Sequence, residues 1–108
     1  MVNQLIYKKL KEIAASRGVT DYTAVGKMIG LSMELPIDRN TISLILDEIN
    51  IYECENNRPM LSSVVIRQDI NLPGEGYFNC ARQLGYQVND PVVFWANELI
   101  KVHNYWAK

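Results

Sequence analysis

Ile42, Ile45, Leu46 and Ile49 fall at i, i+3, i+4 and i+7, the spacing that lines one face of an α-helix. No other segment is as regular, so the chain must organise itself around one central amphipathic helix. The sequence starts that helix at Asp38 as its cap and carries it to about Glu55, where Asn56-Asn57-Arg58-Pro59 breaks it. The chain has 108 residues, 48% hydrophobic and 21% charged. That is enough for one packed core and a single domain over 1–108, with no room for a second.

Five shorter elements are expected around the central helix. Val2, Ile6, Leu10 and Ile13 line a first helix running to about Ser16, stopped by Gly18. Thr20 or Asp21 caps a short second helix carrying Tyr22, Val25, Met28 and Ile29 up to Gly30. Met60 to Ile66 is short and rich in β-branched residues, which predicts a strand entering a hairpin. Leu72-Pro73-Gly74-Glu75-Gly76 is a turn that lets Tyr77 and Phe78 into the core. Tyr77, Ala81 and Leu84 then form a short helix closed by Gly85. Asp90-Pro91 opens a last helix, whose face of Val92, Trp95, Ala96, Leu99, His103 and Trp106 is expected against the core. The fold class is α+β and mostly helical, with a C-terminal helical pair.

Eleven Lys plus Arg against twelve Asp plus Glu give a formal net charge of −1. General affinity for polyanions or anionic lipid is therefore not expected, although a local basic patch is compatible with it. Cys54 and Cys80 have no CxxC partner, so neither a metal site nor a disulfide framework is suggested, and no cofactor is implied. No apolar run approaches a bilayer-spanning length and the start lacks a signal-peptide pattern, which predicts a cytoplasmic protein without membrane contact.

Two short helices, a longer one and a strand form the order of a winged helix-turn-helix. Thr20-Asp21-Tyr22, Ile29-Gly30 and Arg39 at the third helix start, with Pro59 followed by Val64-Val65, resemble the DNA-binding domain of alkylguanine-DNA alkyltransferases and alkyltransferase-like proteins. The resemblance covers about residues 18 to 76 and implies a DNA-facing role for Tyr22 and Arg39. Met60 and Leu61 stand where that family has its reactive Cys-His pair, so alkyl transfer is not implied. Arg58-Pro59-x-Leu61-Ser62-x-Val64-Val65 with Pro73-Gly74-x-Gly76-Tyr77 also resembles a small bacterial domain to which no activity is attached.

Arg39, Asn40, Ser43, Asp47 and Asn50 fall on the side of the third helix away from its apolar stripe. Arg39 and Asn40 are suited to base edges or phosphate at a helix start, and Arg58 and Arg67 to backbone contacts. The same pattern describes an ordinary solvated face, and Asp47, Glu48, Glu53 and Glu55 oppose phosphate along it. Ser62, Ser63, His103, Asp69 and Asp90 supply the residue types of a nucleophile triad without its motif. Val93 and Ile100 lie on the far side of the last helix, where a second copy of the chain or another protein would cover them. The expected function is a non-enzymatic DNA-binding module, with a protein-interaction module of immunity, antitoxin or inhibitor type as the alternative.

Overall fold

The computed structural model describes residues 2–108. Among them, five α-helices surround one irregular buried segment: α1 (Gln4–Ala15), α2 (Tyr22–Lys27), α3 (Pro36–Glu55), α4 (Glu75–Gln83) and α5 (Pro91–Trp106). A two-stranded parallel sheet pairs β1 (Thr20–Asp21) with β2 (Val65–Ile66), in the register Thr20 to Val65 and Asp21 to Ile66. The class is α+β and mostly helical, as the sequence predicts.

Local chemistry sets most boundaries. Asp21 caps α2 by accepting the Ala24 amide at 2.9 Å, and Asp90 caps α5 by accepting the Val92 and Val93 amides. Gly30 and Gly85 take positive φ where α2 and α4 give way to turns. Two boundaries differ from expectation. The left-handed residue after α1 is Arg17 (φ 59°), with Gly18 only following it. At the other difference, Leu35 is the N-cap of α3 and Pro36 its first residue, where a missing N–H costs nothing. Asp38 therefore sits inside the first turn, and its carboxylate accepts the Ser32 amide at 2.9 Å, tying the preceding loop to the helix.

The expected strand from Met60 is mostly a 3-10 turn, Leu61–Val64, and only Val65–Ile66 is extended. Local hydrogen bonding explains the change: the Ser63 hydroxyl donates to the Met60 carbonyl at 2.7 Å, while Ser62 exchanges two bonds with the buried Asn50 side chain. In place of a hairpin ladder, β2 pairs in parallel with β1, and its only antiparallel contact outside the named strands, among the described residues, is the bridge from Arg67 to Leu72.

Residues 60–65 are all buried and join two apolar clusters. Ile6, Leu10, Val25, Ile42, Ile49, Leu61, Val64 and Val102 form the larger one; Met60, Tyr77, Phe78, Cys80 and Ala81 form the smaller, beneath Phe94 and Trp95. The last helix is rotated from its expected phase. Glu98 and Val102 face inward, whereas Val92 is 50% exposed and Ala96 is also exposed. Glu98 is buried because the Met60 amide needs an acceptor, which its Oε2 supplies at 2.9 Å.

Candidate functional site

The start of α2, one flank of α3, the loop after β2 and the first turn of α4 enclose an open cleft of about 540 Å³. Pairing of β1 with β2 brings these pieces together, by setting Asp21 beside Ile66 and so placing Tyr22 across from Arg67. Tyr22 then closes one end, its phenolic oxygen accepting the Gly74 amide at 2.8 Å. Burial raises the Tyr22 pKa above its ordinary value, so the hydroxyl keeps its proton and remains a donor.

The arrangement depends on Gly76, which stands in the first turn of α4. A Cβ there would lie 2.9 Å from the Ser43 oxygen, so glycine lets α4 begin directly against α3. Gly74 caps α4 with no side-chain hydrogen bond, which leaves the helix start lined by backbone and by the Ser43 hydroxyl. Arg39 also lines the cleft, held by one guanidinium N–H donated to the Met33 carbonyl at 3.1 Å.

Two arginines and three aspartates share the cleft. Asp21 is occupied by its cap bond and by the Gln68 amide at 2.9 Å. Asp69 holds Arg67 through two bonds, at 3.1 and 2.6 Å, and that guanidinium keeps the Asp69 carboxyl below its usual range. The pair is more than half exposed, so an incoming anion can compete for Arg67 at small cost. Asp47 differs: burial pushes its pKa up, opposed by a bond to the Cys80 thiol. Burial also pushes the Cys80 thiol up to about 11, which keeps it a neutral donor.

Of the residues the sequence points to, Tyr22, Arg39, Ser43 and Arg67 line this one cleft. Asn40 is exposed on the adjoining outer side of α3. Arg58 belongs elsewhere: it forms an ion pair with the fully buried Glu53, with N–O distances of 2.9 and 3.1 Å, beside Tyr7. Asn50 is buried against Ser62 and reads nothing outside the protein. The serine and histidine of the nucleophile set are not assembled, since Ser63 bonds Tyr77, Ser62 bonds Asn50 and His103 donates to the Gly18 carbonyl. Val93 and Ile100 are 54% and 57% exposed. Asp47 and Gly76 were named from sequence only as an acid on the outer side of the third helix and as part of a turn, and the structure places both in the lining of this cleft. A seven-residue search outward from the α3 stripe would also have found Ile37, Leu44 and Ile51, all exposed.

No family model, curated protein or solved structure matches the chain. Among the described residues, no helix is long and apolar enough to cross a membrane.

Proposed function

We propose that the chain is a non-enzymatic DNA-binding module of winged-helix-like organisation, in which the cleft beside α3 meets the nucleic acid. The observation that carries this reading is the gathering of Tyr22 from α2, Arg39 and Ser43 from α3, and Arg67 from the loop after β2 around one opening. In this reading α2 and α3 are the helix-turn-helix, and the loop closed by the Arg67 to Leu72 bridge stands in the position of a wing. Arg39 and Arg67 grip phosphate or guanine edges, while the Tyr22 and Ser43 hydroxyls bond the backbone. The unpaired thiols of Cys54 and Cys80 suit a reducing compartment such as the cytoplasm.

Arg39→Ala tests the assignment. Binding of a labelled duplex, followed by anisotropy at low salt, is expected to weaken by about 1 to 3 kcal/mol, with a nearly unchanged thermal midpoint. Equal affinity in mutant and parent contradicts the role of Arg39.

A protein contact is the second reading, favoured by Val92, Val93 and Ile100, each at least half exposed on the outer side of α5.

A further inference from the structure

Arg39, Ser43 and Asp47 stand four residues apart on α3 and all line the cleft, so they form one row along its wall, about 12 Å of helix from end to end. The row descends from rim to interior, because Arg39 is exposed whereas Ser43 and Asp47 are half-buried. Its two ends carry opposite charge, and among the described residues neither is in an ion pair. Arg39 gives one N–H to the Met33 carbonyl, and Asp47 takes the Cys80 thiol. The other charges of the cleft are engaged, Asp21 by the Ala24 and Gln68 donors and Asp69 by Arg67. Burial penalises the ionised form of Asp47, so a further donor meeting this carboxylate would stabilise it.

Size and spacing say what kind of molecule fits. A cleft of about 540 Å³ is in the range of small-molecule sites. An inorganic anion would meet one end of the row only, and an α-amino acid carries both charges on one carbon, too close to reach both ends. The remaining lining supplies the hydroxyls of Tyr22 and Ser43 together with apolar surface from Leu46, Ile66 and Tyr77, which suits a sugar and a flat ring. Gly76 keeps that space open beside Ser43, since a Cβ there would lie 2.9 Å from the serine oxygen. We infer that the cleft holds a nucleoside monophosphate whose base bears an exocyclic amino group, with the phosphate at Arg39 and the amino group donating to Asp47. A carboxylate accepts from such an amino group and repels the carbonyl that replaces it in uracil or hypoxanthine. The inference goes beyond the DNA reading and does not rest on it, because a free nucleotide needs no duplex.

Calorimetric titration of the full chain at neutral pH, without DNA, tests each end separately. Cytidine and adenosine 5′-monophosphate are the probes, with uridine and inosine 5′-monophosphate as partners in which a carbonyl replaces the amino group. At least one amino-bearing nucleotide is expected to bind, at least tenfold more tightly than its carbonyl partner and at least tenfold more tightly than its own nucleoside without phosphate. Arg39→Ala should bring the nucleotide down toward the affinity of the nucleoside while keeping the preference for the amino group. Asp47→Asn should do the reverse: its amide both donates and accepts, so the amino preference collapses while the phosphate still counts. Thermal midpoints of both variants report that the fold is kept. No binding of either amino-bearing nucleotide, equal binding of a carbonyl partner, or an amino preference that survives Asp47→Asn in a folded protein overturns the inference. Duplex binding without nucleotide affinity overturns it and leaves the DNA reading standing, whereas nucleotide affinity with this pattern and no duplex binding supports it against that reading.

Discussion

Glu53 has no exposed surface, yet its carboxylate is fully answered: Arg58 donates from Nε and Nη2, and the Tyr7 hydroxyl donates at 2.6 Å. A buried ion pair of this kind adds little over an apolar pair, but removing one partner strands the other charge. Arg58→Ala is therefore expected to cost about 3 to 5 kcal/mol in chemical denaturation and to leave DNA affinity unchanged. A loss in binding without a loss in stability would return Arg58 to the surface role suggested by its sequence. The sequence did not reveal this ion pair, for a physical reason. Glu53 was counted among the acids of a solvated helix end, and its partners lie 5 and 46 residues away, a convergence that helical periodicity does not encode. Asp47 gives a second prediction at this scale. Its folded pKa is raised, so the native protein binds its proton more readily than the unfolded chain does, and the group subtracts stability above the folded value. That loss disappears as pH falls through the folded pKa into the ordinary carboxylate range. Asp47→Asn should be more stable than the parent at pH 7, with the gap closing in acid; a gap of opposite sign, or none, contradicts the burial of this carboxylate.

Helices were the legible elements because their caps and stripes are local. Asp21, Asp90-Pro91 and the Ile42 to Ile49 repeat read correctly, and α3 ends at Glu55 as expected. The failures occur where a buried polar group overrides the pattern. Ser62 and Ser63 turn residues 61–64 into a 3-10 turn by bonding Asn50 and the Met60 carbonyl, although β-branched neighbours favour a strand. Glu98 rotates α5 away from the phase that its apolar residues suggest, because a charged residue on the core face is invisible to a hydrophobic stripe. Within α3 the structure separates two positions that periodicity treats alike: Ile49 is fully buried, whereas Ile45 is only partly so. Ile49→Ala is expected to cost about 2 to 5 kcal/mol, and Ile45→Ala less, since a cavity at a partly exposed site is open to solvent. Equal losses at the two positions in urea denaturation would contradict this placement of the helix.

At the scale of the molecule, residues 60–65 hold the fold together. They touch α1, α3 and α5 from the centre, join the two apolar clusters and lead into the strand that pairs with β1. That pairing, between segments about 45 residues apart, is what builds the cleft. Arg39 and Arg67 could be nominated singly from their residue types, but their common opening could not, because a two-residue parallel ladder leaves no periodic signal. The claim that this cleft meets DNA is tested most directly by the dependence of duplex affinity on salt. With Arg39 and Arg67 as its two phosphate contacts, the logarithm of the binding constant should fall against the logarithm of salt concentration with a slope of about −2. Arg39→Ala should reduce that slope by about 1. Measurable binding with this slope, and its reduction in the mutant, is the predicted result; no duplex affinity at low salt, or a slope indifferent to Arg39, contradicts it.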